Sequence, residues 1–122
     1  MISGIVINGR ATVNVVFRLS DGQNMAIEFV IDTGFTEALC LPPEAVALLN
    51  LPFLYDISVN LADNSYVMLP VHTANIIWDG EEQEEVRVLA AGSRPLLGTA
   101  LLSDYELVVQ FTEGGLVTIE KI

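Results

Sequence analysis

Short apolar runs separated by turn residues dominate the pattern of this 122-residue chain. The run at residues 4–9 ends in the tight-turn dipeptide Asn8-Gly9, and runs at residues 11–19 and 25–31 lie on either side of Ser20-Asp21-Gly22-Gln23. Runs rich in Val, Ile and Phe that are closed by Asn-Gly or Asp-Gly are typical of antiparallel hairpins. The first third of the chain is therefore predicted to form a β-meander.

The remaining pattern predicts further strands and one or two short helices. Pro42-Pro43 followed by Glu44 favours a helix over residues 43–50, since proline and an acidic residue both suit the first turn of a helix. Further strands are predicted at residues 57–61, 66–71, 74–78, 86–90, 107–111 and 116–119. Leu96-Leu97-Gly98 is predicted to end a buried strand and to turn into a second short helix.

Two predicted hairpins and one charge run complete the pattern. The strands at residues 57–61 and 66–71 surround a polar tip, and the last two strands surround Glu113-Gly114-Gly115. The acidic run at residues 81–85 is interpreted as a solvated hairpin turn, with an interaction patch as the alternative. Because most domains hold about 100–150 residues, residues 1–122 are predicted to form one mostly β, barrel-like domain.

Composition and charge exclude several classes of protein. Apolar residues make up 52% of the chain, which excludes a disordered acidic tail. Five basic residues, scattered along the sequence, stand against 16 acidic ones, and the net charge of −11 argues against a nucleic-acid partner. The chain has neither an apolar run of transmembrane length nor the pattern of a signal peptide. No membrane partner is therefore expected, and the cytoplasm is the expected location.

Single copies of cysteine and histidine limit the available chemistry. They leave no disulfide framework within the chain and no zinc cluster of the usual kind. Cys40 lies in an apolar segment and is interpreted as an inert core thiol, with a reactive thiol as the alternative. His72 is interpreted as a structural or surface residue rather than a catalytic base. With no glycine-rich phosphate loop, calcium loop or paired histidines, neither a metal nor an organic cofactor is expected.

One segment has an arrangement that is unusual for a surface loop. Three apolar residues, Phe29-Val30-Ile31, run directly into Asp32-Thr33-Gly34. This order delivers the Asp32 carboxylate to the end of a buried strand, where a charge is costly unless it is paired or hydrogen-bonded. Thr33 offers a hydroxyl, and Gly34 allows a sharp turn with its N–H close to the carboxylate. From these residues alone, an ordinary Asx turn after a strand remains the alternative.

The order of the motifs resembles that of the retropepsin-like aspartic proteases, the single-domain relatives of one half of pepsin. Val30-Ile31-Asp32-Thr33-Gly34 matches the active-site loop of the family, and the hairpin at residues 57–71 lies where the family has its flap. Leu96-Leu97-Gly98 with the short apolar helix after it matches the late apolar-apolar-Gly motif. The likeness spans nearly the whole chain, with residues 112–122 as an extra hairpin or interface strand.

This resemblance implies a closed, barrel-like acid-protease fold with a flap hairpin, and an aspartic endopeptidase that acts on a peptide or protein substrate. Since the chain has one Asp-Thr-Gly and the chemistry needs two carboxylates, it also implies a two-fold homodimer in which Asp32 from each chain meets its counterpart. Two carboxylates about 3 Å apart repel each other by about 5 kcal/mol at an effective dielectric constant of about 20, so the pair shares one proton. The implied catalytic residues are Asp32, Thr33 and Gly34, and the implied substrate-binding residues are Phe35, Thr36, Ala62, Asp63, Asn64 and Ser65.

Two departures from the family pattern keep other functions open. Phe35 stands where the family usually has a small residue, and the hairpin tip lacks the glycine-rich sequence of viral flaps. These departures, together with the high negative charge, motivate a catalytically silent binding or assembly module with the protease fold. A third hypothesis is an unrelated acidic β-barrel that mimics the charge of nucleic acid. If two chains associate, their combined charge of −22 predicts tighter dimers and higher activity below neutral pH.

Overall fold

Ten strands in one mixed sheet make up most of the computed structural model, which describes residues 1–122. One α-helix, α1 (Pro43–Leu48), and one 3-10 turn (Thr99–Leu101) accompany them. The strands are β1 (Ile2–Ile7), β2 (Arg10–Arg18), β3 (Asn24–Ile31), β4 (Leu39–Leu41), β5 (Phe53–Asn60), β6 (Tyr66–Trp78), β7 (Glu81–Ala90), β8 (Leu96–Leu97), β9 (Tyr105–Val109) and β10 (Leu116–Lys121). The prediction of an all-β chain with one or two short helices is confirmed.

The sheet runs in the order β5-β6-β7-β4-β8-β3-β2-β1-β10-β9, with a further pairing between β2 and β6. The predicted meander is confirmed, because β1, β2 and β3 are antiparallel neighbours. Asn8 and Gly9 both have positive φ angles, 51° and 76°, as a two-residue hairpin turn between twisted strands requires. The final hairpin is also confirmed, since β9 and β10 pair antiparallel.

The structure corrects two predictions in the middle of the chain. The strands expected at residues 66–71 and 74–78 form one strand, β6, whose successive partners are β5, β7 and β2. These non-local pairings keep the segment extended where local residue preferences suggested a break. The acidic run at residues 81–85 is not the turn, because Asp79-Gly80 makes it with φ angles of 52° and 80°. The run instead forms the exposed first half of β7.

Strand β8 has an unusual position that determines where the candidate site lies. It is inserted between β3, to which it is parallel, and β4, to which it is antiparallel. Strands β3 and β4 are therefore not neighbours, although the loop that contains Asp32 joins them directly. Helix α1 begins at Pro43 as predicted but ends at Leu48, just before Asn50 turns the chain with a φ of 53°.

A single large cluster of aliphatic and aromatic side chains fills the interior. Phe17 and Phe29 are stacked at its centre with ring centroids 5.9 Å apart. Strands β2, β3 and β10 contribute alternate residues to it, and β4 and β8 contribute Leu39 and Leu97, which are fully buried. Both β4 and β8 are thereby anchored to the core on either side of the Asp32 loop. No helix of the structure has the length and apolar character needed to cross a membrane.

Candidate functional site

Asp32 lies at the point where β3 leaves the sheet. Its backbone N–H donates to the carbonyl oxygen of Leu97 at 2.9 Å, which extends the β3–β8 pairing by one residue beyond Ile31. The Asp32 side chain is half-buried, whereas Thr33 and Gly34 are exposed. The apolar run that precedes Asp32 brings its carboxylate to the end of β3 as predicted, but this strand is not buried throughout, because Phe29 is its one buried residue and Val30 and Ile31 are half-buried.

A tight turn fixes the orientation of this carboxylate. The Gly34 N–H donates to Asp32 Oδ1 at 2.9 Å, and the Phe35 N–H donates to the Asp32 carbonyl oxygen at 3.1 Å. A Cβ atom added at Gly34 would lie 3.3 Å from Asp32 Oδ1, so a larger residue would press on the carboxylate. The predicted approach of the Gly34 N–H to the carboxylate is thus present in the structure.

The same local turn occurs at two other aspartates. Asp21 accepts from the N–H of Gln23, and Asp63 accepts from the N–H of Ser65, each at 2.9 Å. Both of these aspartates are exposed, and both lie in hairpin connections between sequential strands. Asp32 differs in what surrounds it, because its turn links two strands that are held apart by β8.

The loop after Asp32 rests directly on the chain that follows β8. Gly98 N–H donates to the carbonyl of Ala38 at 2.8 Å, and Thr99 N–H donates to the carbonyl of Phe35 at 2.8 Å. A Cβ atom at Gly98 would come closer than 3.0 Å to the carbonyl oxygens of Phe35 and Glu37. Only glycine fits here, so the Leu96-Leu97-Gly98 motif forms the platform on which the Asp32 loop lies.

The hairpin of β5 and β6 has one half-buried face and an exposed tip. Ile57 pairs with Leu69 and Val59 with Val67, and these half-buried side chains share one face. Residues 62–65 form the exposed tip, where Asn64 has a φ of 64°. The hydrogen bonds of the tip stay within the hairpin, including those that Ser65 donates to Asp63 from its N–H and hydroxyl. These two bonds lower the pKa of Asp63, and the bond from the Ser65 hydroxyl has the larger effect.

A small apolar cluster connects the base of this hairpin with the Asp32 loop. Its centre is Cys40, Val71 and Leu89, and the half-buried side chains packed against it include Phe35 and Ile57. A cavity of about 50 Å³ opens beside it, with Leu39, Ile57, Val71 and Leu89 as its aliphatic wall. Glu37, Tyr55 and Arg87 also line this cavity.

Of the predicted substrate-binding residues, Phe35 packs at the base of the hairpin beside the loop of the predicted catalytic residues. Thr36 and the tip residues Ala62, Asp63, Asn64 and Ser65 are exposed. No hydrogen bond joins the tip to the Asp32 loop. Sequence reasoning missed Glu37, Tyr55 and Arg87, which no local pattern marks as neighbours.

The other two reactive side chains have structural surroundings. Cys40 is buried, its thiol donates to the Ala91 carbonyl at 3.3 Å, and burial raises its pKa. His72 is half-buried, and its Nδ1 lies 2.9 Å from the Leu51 carbonyl oxygen while its ring meets Phe53 edge-on. Both contacts agree with the interpretation of these residues as structural. No group of three or more His, Cys, Asp or Glu side chains is placed to hold a metal ion.

Comparison with known proteins finds similarity in three-dimensional structure. No protein-family model and no curated protein matches the chain. Among solved structures, the fold is similar to that of a retropepsin-like aspartic protease from Rickettsia conorii, with a TM-score of 0.61 and 18% sequence identity. The match covers 98% of this chain and 89% of that protein. The chain therefore has a fold similar to that of a retropepsin-like aspartic protease.

Proposed function

We propose that this protein is a homodimeric aspartic endopeptidase in which Asp32 from each of two chains forms the catalytic pair. The observation that supports this most directly is the half-buried Asp32 carboxylate, held by the Gly34 N–H at the end of β3. The similarity of the whole fold to a retropepsin-like aspartic protease supports it as well. Residues 1–122 would form one domain, and the pairings from β2 through β3, β8, β4, β7 and β6 back to β2 favour barrel-like closure.

The proposed chemistry needs the two carboxylates together. Two such groups about 3 Å apart do not both ionise readily, so one proton is shared between them. The ionised member takes a proton from a bound water, and the water oxygen attacks the peptide carbonyl carbon. The protonated member donates a hydrogen bond to the carbonyl oxygen and stabilises the tetrahedral intermediate. The C–N bond then breaks as the leaving amine takes up a proton.

The neighbouring residues would position this pair and the substrate. The Gly34 N–H keeps the Asp32 carboxylate in a fixed plane, and the exposed Thr33 is available to join the two loops across the dimer axis. Phe35 and Thr36 would line the substrate cleft. Residues 62–65 would cover an extended peptide and exclude water from it, while the peptide backbone pairs with strand edges.

A matched pair of variants tests the proposal. Asp32→Asn should lose peptide cleavage by about 10²–10⁴-fold or more, because the amide can neither ionise nor deliver a proton. Asp21→Asn is the control, since it makes the same chemical change in a turn with the same 2.9 Å hydrogen bond. Cleavage of a degenerate peptide library, followed by mass spectrometry, measures both. Full turnover by Asp32→Asn would refute the proposal.

The dimer has its own test. Specific activity should rise with protein concentration and then level off as the two-chain particle forms, which sedimentation velocity measures independently. A particle that stays a single chain at every concentration and still cleaves peptides would contradict the shared-carboxylate mechanism.

The alternative function is a catalytically silent binding or assembly module. Phe35 favours it, because this large side chain occupies apolar space at the base of the hairpin beside the Asp32 loop. On this alternative, no peptide of the library is cleaved at any pH, and Phe35→Ala does not create activity. One peptide that the wild-type protein cleaves robustly and the Asp32→Asn variant does not cleave would exclude this alternative.

A further inference from the structure

A second cavity, of about 290 Å³, lies along the face of the sheet that leads to Asp32. It is separate from the cavity under the hairpin, and two arginines, Arg10 and Arg94, line it together with Glu28, Val30 and Pro95. Arg10 begins β2, whereas Arg94 lies in the loop before β8, so the fold brings them together from distant parts of the chain. The five basic residues, which are scattered in the sequence, are therefore not all scattered in space.

These two arginines have no partner within the chain. Among the other basic residues, Arg18 lies 3.5 Å from a carboxylate oxygen of Glu82, and Arg87 donates to the carbonyl of Glu85 at 2.8 Å. Arg10 and Arg94 make no ion pair and no side-chain hydrogen bond, although the chain has 16 acidic residues. Two exposed guanidinium groups at one cavity therefore keep their donors available for a ligand.

The register of the strands relates this cavity to Asp32. Alternate residues of a strand share a face, so Glu28 and Val30 point to the same side of β3. Asp32 is the next alternate position and continues this face. In the β2–β3 pairing Thr12 is opposite Val30, which is the last pair of that ladder, so the cavity lies at the end of β3 from which the chain runs on to Asp32. On the other flank, the Val30 N–H donates to the Pro95 carbonyl at 3.0 Å, which holds the Arg94 loop beside β3.

We propose that Arg10 and Arg94 bind an acidic side chain of the peptide substrate, next to the bond that Asp32 cleaves. This inference rests on the proposed function and adds the substrate class to it. A guanidinium group presents several N–H donors in a plane and pairs with a carboxylate through two parallel hydrogen bonds. Glu28 is the one acidic residue at the cavity, so two positive charges outweigh one negative charge there.

The charge of the whole molecule makes this proposal sharply testable. A net charge of −11 repels acidic peptides at long range, so without a local site the protein should discriminate against them. Preference for an acidic peptide would then have to come from contacts at short range, such as those that Arg10 and Arg94 can make.

The first experiment compares two degenerate peptide pools that differ at one fixed position, Glu in one pool and Gln in the other. We expect the wild-type protein to cleave the Glu pool at least about tenfold faster, as charge-assisted pairing with a guanidinium predicts. Arg10→Gln and Arg94→Gln should each reduce this preference, and the double variant should abolish it. Arg18→Gln removes the same charge at a distant ion pair and should leave the preference unchanged. Equal rates for the two wild-type digests would overturn the inference while leaving the endopeptidase proposal intact.

A second experiment separates the two proposals, because it needs no cleavage. Immobilised Asp32→Asn protein is incubated with both pools together, and the retained peptides are quantified by mass spectrometry. Enrichment of Glu peptides by about tenfold, lost when Arg10→Gln and Arg94→Gln are added, supports acidic recognition even if the wild-type protein cleaves neither pool. Equal retention, or retention of Gln peptides, refutes acidic recognition whether or not the wild-type protein is a protease.

Discussion

Replacing Gly98 with alanine should loosen the Asp32 loop from the platform beneath it. The backbone at Gly98 has a φ of −101° and a ψ of 179°, which alanine adopts without strain. The cost of the substitution is therefore steric. The added Cβ would lie closer than 3.0 Å to the carbonyl oxygens of Phe35 and Glu37 and to a ring carbon of Phe35. Backbone atoms cannot rotate away as a flexible side chain would, so one of the two segments has to move.

The hydrogen bonds that join the two segments set the size of the effect. Three of them run from the chain after β8 to the Asp32 loop, with N···O distances of 2.8, 2.8 and 3.4 Å. Each contributes about 1 kcal/mol net, and a buried group left without a partner costs about 1–3 kcal/mol. Weakening all three should destabilise the protein by about 3 kcal/mol, a large part of the stability of a domain this size. The midpoint of thermal unfolding should fall by about 10 °C.

Urea and thermal unfolding followed by circular dichroism measure this loss. Gly22→Ala is the control, since Gly22 has a φ of 84° and open space around it. Alanine there costs about 1–2 kcal/mol through backbone conformation alone, at a turn on the opposite end of β3 from Asp32. If Gly98→Ala were as stable as the wild type, or no less stable than Gly22→Ala, the close packing between Gly98 and the Asp32 loop would be refuted.

Three further predictions follow from the charged and reactive groups. Cys40, whose pKa burial raises, should resist a thiol reagent at pH 8 in the folded protein and react fully in urea; rapid native labelling would contradict this. The lowered pKa of Asp63 means that its hydrogen bonds are fully formed above its ordinary value of 3.8 and are lost as the pH falls through the folded-state pKa. Ser65→Ala should accordingly move the carboxyl 13C titration of Asp63 to higher pH, and an unmoved titration would contradict the role of the hydroxyl. Two associated chains, each at −11, should dissociate less as salt rises or as the pH falls below neutral, which sedimentation velocity measures; an alkaline activity optimum would contradict this prediction.

Local turn chemistry explains which parts of the fold could be predicted. Asn8-Gly9 and the proline pair before α1 act on the few residues beside them, so the meander and the helix follow from the sequence alone. The long strand β6 could not be predicted in this way, because β5, β7 and β2 hold it in turn. The acidic first half of β7 looked like a turn for the same reason, since its state depends on pairing with β6 rather than on its own composition.

The same distinction between local and non-local features applies to the candidate site. The Asp32 turn and the glycine after Leu96-Leu97 are sequence-local features; the first was predicted as part of the site, and the second as the turn that ends a strand. The presence of Arg10 and Arg94 at one cavity could not be predicted, because it depends on β8 lying beside β3. Neighbouring strands of this sheet come from distant parts of the chain. The spacing of basic residues in the sequence therefore says little about whether they cluster in the folded protein.

The Asp32 turn also shows where local reasoning must stop. Its hydrogen bond has the same 2.9 Å length as those of the Asp21 and Asp63 turns, so the turn by itself does not mark a catalytic residue. What distinguishes Asp32 is the strand inserted between the two ends of its loop, which holds the carboxylate half-buried at the end of β3. If that placement is what matters, the Asn variants at positions 32 and 21 must differ in activity although their local geometry is the same. Equal activities would reduce the Asp32 turn to an ordinary strand ending.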